Sequence, residues 1–220
     1  MSKSDASVPG REVVAGIDVG GAKKGFHAVA LRGVDILDSF ASTDPRAIAA
    51  WCHRLGARAV GVDAPSAWST DGRARPAERA LMLAGIRCFA SPTRAAALAH
   101  PTNWYGWMLA GEALYRALSS HYALLDDRVD PPAQPFVFET FPQAVACAMA
   151  GRHVSAKDKA RERRRILREA GIDVAPLTNI DLVDAALCAL AASHAVAGRV
   201  RLYGEAASGF IAVPRLVLGR

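Results

Sequence analysis

Four acids stand where acids are costly. Asp18 closes the apolar run Val13-Val14-Ala15-Gly16-Ile17, Asp63 closes Ala59-Val60-Gly61-Val62, and Glu139 closes Phe136-Val137-Phe138. A strand buried on both faces reads as an unbroken apolar run, so a carboxylate at its end needs a hydrogen bond, a proton or a counter-ion. Asp184 sits between Val183 and Ala185-Ala186-Leu187-Cys188, within a small-residue helical stretch. Gathered and ionised, such groups raise one another's pKa, a conflict that Mg²⁺ or Mn²⁺ removes because both ions prefer oxygen ligands. One ion, or two about 4 Å apart, would activate water for in-line attack on a phosphodiester. Asp18, Asp63, Glu139 and Asp184 are therefore the expected metal ligands and catalytic groups. Lys23 or Lys24 is positioned to hold a non-bridging phosphate oxygen, and Arg73, Arg75 and Arg79 to meet phosphates or the acids themselves. Plainer alternatives stay open. Asp18 before Gly20-Gly21 also suits a turn, the three arginines also suit a solvated helix start, and the secondary candidates Glu78 and Asp181 each lie in a first helical turn that favours an acid.

These acids need a scaffold that brings distant segments together. Residues 12–19, 25–31 and 35–41 read as three strands joined by short links, hence an antiparallel meander. Ser42-Thr43-Asp44-Pro45 opens a helix through Leu55, and Trp51 keeps step with its apolar stripe as a core residue. Residues 59–63 form a fourth strand and 136–139 a fifth, with 66–135 placed between them as a helical insertion. If the first and fourth strands lie side by side and parallel, both acids project at the strand ends where open α/β sheets hold their ligands. Pro76 begins one helix, 85–89 reads as extended, and 94–99 and the stretch from Trp107 through about Tyr122 read as further helices. Tyr105, Trp107, Tyr115 and Tyr122 are candidate base-stacking groups, though such residues more commonly fill a core. Trp104 and Trp107 are candidates for a homodimer contact. Residues 143–150 and 157–170 are helices, the second the most basic window of the chain, and Thr178-Asn179 caps a last helix from Ile180 to Ala197. Residues 204–209 read as a turn and 210–214 as a final extended piece.

The whole is expected to be an α/β chain with a mixed five-stranded central sheet, three antiparallel strands followed by two parallel additions, and helices on both faces. Residues 12–214 are expected to form one domain, with 1–11 a disordered tail and 215–220 a second tail. At 220 residues and 51% hydrophobic content the chain can bury one sizeable core. Its formal charge of +6 permits nucleic acid or another phosphate-bearing anion as a partner without requiring one. Four cysteines lie far apart in apolar contexts, lacking the paired spacing of a zinc site or the density of a secreted scaffold. No stretch reads as a membrane span or signal segment, and the expected setting is the reducing cytoplasm.

Five segments carry a resemblance: Gly16-Ile-Asp-Val-Gly20, Val62-Asp-Ala-Pro65, Arg75-Pro-Ala-Glu-Arg79, Glu139-Thr-Phe-Pro142 and Asp181-Leu-Val-Asp-Ala185. Together they resemble the domain-of-unknown-function family numbered 429, predicted nucleases of ribonuclease H-like fold, over about Val13 to Pro214. The resemblance implies that Asp18 is the first-strand acid, Asp63 the fourth-strand acid and Asp184 the late-helix acid of a metal-dependent nuclease. Glu139 belongs to a Glu-Thr-aromatic-Pro motif of the family's own. Three functions compete on this footing. The first is a metal-dependent nuclease or phosphodiesterase. The second is a non-catalytic ribonuclease H-like binding or scaffold protein, and the third an actin-like-fold nucleotide phosphotransferase or hydrolase, for which 220 residues leave little room.

Overall fold

The computed structural model describes residues 12–127 and 130–215. The tail expected over 1–11, and all of that expected over 215–220 except Arg215, lie outside the described residues. Strands β1 (Val13–Val19), β2 (Phe26–Arg32) and β3 (Asp35–Ser42) form the meander, and helix α1 (Pro45–Arg54) leads to β4 (Ala59–Asp63). Helices α2 (Pro76–Leu83), α3 (Arg94–Ala99) and α4 (Gly106–Leu118), with the two-residue strand β5 (Ala123–Leu124), separate β4 from β6 (Phe136–Glu139). Then follow α5 (Pro142–Ala150), α6 (Lys159–Glu169), α7 (Ile180–Val196), β7 (Val200–Glu205) and β8 (Gly209–Pro214).

The sheet runs β3-β2-β1-β4-β6-β8-β7, with β5 beside β6. β1 is antiparallel to β2 and parallel to β4, β4 is parallel to β6, and the β7–β8 hairpin adds an edge through β8. Strands are present at all five expected places, within a mixed sheet flanked by helices. The sheet itself is wider than five strands, because β5, β7 and β8 join it. Residues 85–89, expected to be extended, form no strand.

Strand alternation divides the core into two layers. Val14, Val29, Ala59, Phe136 and Phe138 face α7, with α2, α5 and α6 on the same side. Ala15, Ile17, Val60, Val62 and Val137 face Ile48, Trp51 and Cys52 of α1 and Leu114 and Leu118 of α4. Trp51 is core, as expected, and its indole donates to Asp38 Oδ2 at 2.8 Å. Tyr122 is buried, and Tyr115 packs against the same cluster with its hydroxyl donating to the Ala64 carbonyl at 3.1 Å, so neither ring is free to stack on a base.

Helix α7 lies directly on strand backbone. A Cβ at Gly16 would stand 2.0 Å from the Ala185 carbonyl oxygen and 2.1 Å from the Ala189 nitrogen, and one at Gly61 would stand 2.5 Å from the Cys188 oxygen. Only glycine admits that approach, and alanines 185, 186, 189, 191 and 192 keep the helix narrow. Asn179 caps its start by accepting from the Leu182 N–H at 2.9 Å. Among the described residues no helix is long and apolar enough to cross a membrane.

Candidate metal centre

β1 and β4 pair in register, Gly16 beside Gly61 and Asp18 beside Asp63. Parallel neighbours in register point to the same face, so both carboxylates project on the α7 side, one alternation beyond the glycines on which the helix rests. Antiparallel pairing sets His27 of β2 opposite Asp18 on that same face. The first turns of α7 then bring in Asp181 and Asp184, which are three residues apart and so share one side of the helix. One carboxylate or imidazole atom from each of Asp18, His27 and Asp181 lies within 4.8 Å of the others.

The neighbouring cations are unequal. Arg163 of α6 is buried, with Nη1 donating to Asp184 Oδ1 and Nη2 to Gln143 Oε1 at 3.1 Å. Lys24, in the β1–β2 turn, places Nζ 2.6 Å from Asp181 Oδ1 and 3.9 Å from Asp18 Oδ2, with half of its side chain exposed. Burial, reinforced by the charge of Asp184 and opposed by Lys24, pushes the Asp18 carboxyl up to about 7. Burial first, then Asp18 and Asp184, lifts the Asp63 carboxyl well above the ordinary carboxylate range. Asp184 is also raised by burial, against the pull of Arg163. Burial works to lower the Lys24 ammonium, but the hydrogen bond to Asp181 and the charge of Asp18 outweigh it, and the net shift is upward.

Asp18 supplies the deciding detail. It is 7% exposed, and its Oδ2 accepts no hydrogen bond from any described residue, the Lys24 ammonium standing off at 3.9 Å; buried His27 Nδ1 also makes no hydrogen bond and lies 4.0 Å from Asp181 Oδ2. A buried oxygen without a partner costs on the order of 1–3 kcal/mol, which an oxygen-seeking cation would recover. The donor set thus fits a divalent ion. Glu139 stands elsewhere. Its register partner is Val62 and not Asp63, which turns it to the opposite face of the sheet. There Arg75 grips it with Nη1 to Oε2 at 3.0 Å and Nη2 to Oε1 at 2.5 Å, while the Ser66 N–H and hydroxyl donate to Oε2 at 2.8 and 2.9 Å. Arg75 Nε also holds Glu78 Oε1 at 2.8 Å, and Glu78 accepts from the Ser91 N–H and hydroxyl.

A family comparison places this chain. Residues 16–208 match the family described as "Protein of unknown function (DUF429)". The chain belongs to the DUF429 family. No curated protein matches it. Among solved structures, RuvC from Thermus thermophilus is similar at 20% sequence identity over 84% of this chain and 93% of that one, with a TM-score of 0.42.

In this DUF429 chain Asp18, His27 and Asp181 form the close cluster, and Asp63 and Asp184 lie near enough for their charges to act on it and on one another. Glu139 and Glu78 belong instead to a network around Arg75, a residue 2% exposed and bonded to both, with the charge of Glu139 still acting weakly on Asp63. A cleft of about 50 Å³ lined in part by Asp63, Arg75, Glu139 and Thr140 lies between the two groups. Arg73 and Arg79 are exposed, and Arg79 lines a separate cleft of about 190 Å³ with Ser69, Asp71 and Glu205. Lys23 is exposed, whereas Lys24 turns into the acids. Trp104 is 59% exposed, and Trp107 meets Phe89 edge to face. Sequence reasoning missed His27 and Arg163. A signal for His27 existed, since a tight hairpin after Val19 sets its partners by counting back from the turn; Arg163 was masked by the basic window around it.

Proposed function

We propose that this DUF429 chain is a metal-dependent hydrolase of phosphodiester bonds, with a nucleic acid as the substrate class. The observation that carries the reading is the buried Oδ2 of Asp18, which accepts no hydrogen bond and is flanked by Asp63 in register and by Asp181 and Asp184 on α7. Asp18, Asp181 and His27 would hold the ion, with Asp63 and Asp184 beside them. Mg²⁺ or Mn²⁺ bound there would supply a water made acidic near neutral pH and a positive charge against phosphoryl oxygens.

The chain's own residues set the conditions for that chemistry. Asp18 and Asp63 hold protons more tightly than ordinary carboxyls, so they release them when positive charge enters the site. Arg163 fixes Asp184 and leaves it little freedom to rotate. The Arg75 network holds the end of β6 and the start of α2, and its role is positioning; the glutamates within it are not assigned to catalysis. Exposed Lys23, Arg73 and Arg79 are cations open to a substrate backbone. Residues 12–214 act as one domain in this reading, with 66–135 forming one wall, and free Cys52, Cys88, Cys147 and Cys188 suit a reducing cytoplasm.

The test is cleavage of single-stranded, duplex, hybrid and branched nucleic acids with Mg²⁺ or Mn²⁺, by the wild type and by Asp18→Asn. Metal-dependent cleavage that the variant loses by about a hundredfold or more is expected. Cleavage unchanged in the variant would exclude Asp18, and no cleavage of any substrate would favour the non-catalytic reading.

A further inference from the structure

The Lys24 side chain approaches the same carboxylates that form the donor set. Its ammonium is 2.6 Å from Asp181 Oδ1 and 3.9 Å from Asp18 Oδ2, the oxygen that otherwise has no partner. Two features set this contact apart from an ordinary surface pair. The stem has a built path: a Cβ at Gly20, just past the end of β1, would stand 2.8 Å from Lys24 Cβ, Lys24 Cδ and the Gly25 oxygen, so the lysine runs over a position where a side chain would crowd it. The turn beneath it is closed by Lys24 N and Gly25 N donating to the Gly21 carbonyl, each at 2.9 Å, which fixes the root of the side chain while the rest stays half exposed. Arg163 differs in every respect, being buried and bonded to both Asp184 and Gln143.

A divalent ion and the Lys24 ammonium compete for the same oxygens of Asp18 and Asp181. Both are compact cations, neither has an acceptor for the other, and a divalent ion on those oxygens repels the ammonium with twice the force of a single charge at the same distance. We propose that Lys24 is an exchangeable internal cation. In the metal-free chain its ammonium neutralises Asp181 and Asp18; a divalent ion entering the same oxygens expels it towards solvent, where it becomes available to a phosphate. Metal binding and exposure of a substrate-facing lysine are then one event. The inference rests on the metal-dependent reading above.

Amine acetylation followed by mass spectrometry tests it on the wild-type chain, with Mn²⁺ binding followed in parallel by calorimetry. Lys24 is expected to be slow to acetylate without metal and several-fold faster at saturating Mn²⁺, while its neighbour Lys23 reacts alike in both states. Lys24→Met supplies a second readout. It should bind Mn²⁺ about tenfold tighter than wild type, having no cation to displace, and melt lower without metal. Lys24 reactivity that stays constant or falls on saturation, or a Lys24→Met affinity equal to or weaker than wild type, would make the lysine a fixed structural partner and overturn the proposal. Failure of both wild type and Lys24→Met to bind Mn²⁺ would overturn the metal reading itself.

Discussion

Replacing Gly16 by alanine adds one methyl group where there is no room for it. The new Cβ would stand 2.0 Å from the Ala185 oxygen, about 1.4 Å short of ordinary contact, and 2.1 Å from the Ala189 nitrogen. Both obstacles are backbone atoms of α7, so no rotamer change relieves them; the helix must lift from β1 or the strand must bend. Overpacking of a well-filled core costs about 1–3 kcal/mol, and two backbone clashes put this substitution at the upper end or beyond it. For a chain of this length about 3 kcal/mol corresponds to a fall in Tm of about 6–12 °C. The lifted helix carries Asp181 and Asp184 with it, and a displacement near 1 Å at a reacting centre costs about a hundredfold in rate. Urea denaturation and Mn²⁺ calorimetry on Gly16→Ala would measure both effects. Gly21→Ala is the control, because a Cβ there meets nothing within 4 Å. A Gly16→Ala protein within about 0.5 kcal/mol of wild type, with unchanged Mn²⁺ affinity, would refute the claim that glycine seats the helix and thereby sets the site.

Further outcomes follow from the same geometry. Because folding raises the Asp18 carboxyl from 3.8 to about 7, the fold binds this proton more tightly than the unfolded chain does. Metal-free stability should therefore fall by up to a few kcal/mol as pH rises from about 4 to about 7, with a shallower slope in Asp18→Asn and in wild type with Mn²⁺; thermal melts across that range are the measurement, and an identical slope in the variant would contradict it. Arg75→Met leaves Glu78 and Glu139 buried without their cation and should cost about 3–5 kcal/mol, part of which Arg75→Met with Glu139→Gln recovers. Equilibrium unfolding of the two variants separates this from loss of a surface pair, whose removal costs about 1 kcal/mol or less.

What could be read from the chain was whatever depends on local pattern. Apolar runs ending on Asp18 and Asp63 marked two strands, and their parallel pairing put both acids on one face. Asp184 stood out because an acid in the midst of Val183, Ala185 and Leu187 has no local excuse. Glu139 looked equivalent and is not, because the phase of β6 against β4 is a long-range pairing choice: one residue of shift moves a side chain to the other face. β5, with two exposed residues, and β7, exposed at Arg201, Gly204 and Glu205, carry too little apolar signal to announce themselves. Lys24 could be named as a cation, but whether it faced a phosphate or a carboxylate depended on how the hairpin turn folds its stem over Gly20.

The pairing of Asp18 with Asp63 has a further consequence. Their separation is inherited from the hydrogen-bond ladder between β1 and β4, whose strands stand about 4.8 Å apart wherever a sheet forms. Core substitutions can weaken the fold, shift its helices or soften its edges without changing that repeat. The width of this half of the site is therefore a property of the peptide unit, and selection on side chains can tune which ion enters and how tightly, but not the gauge.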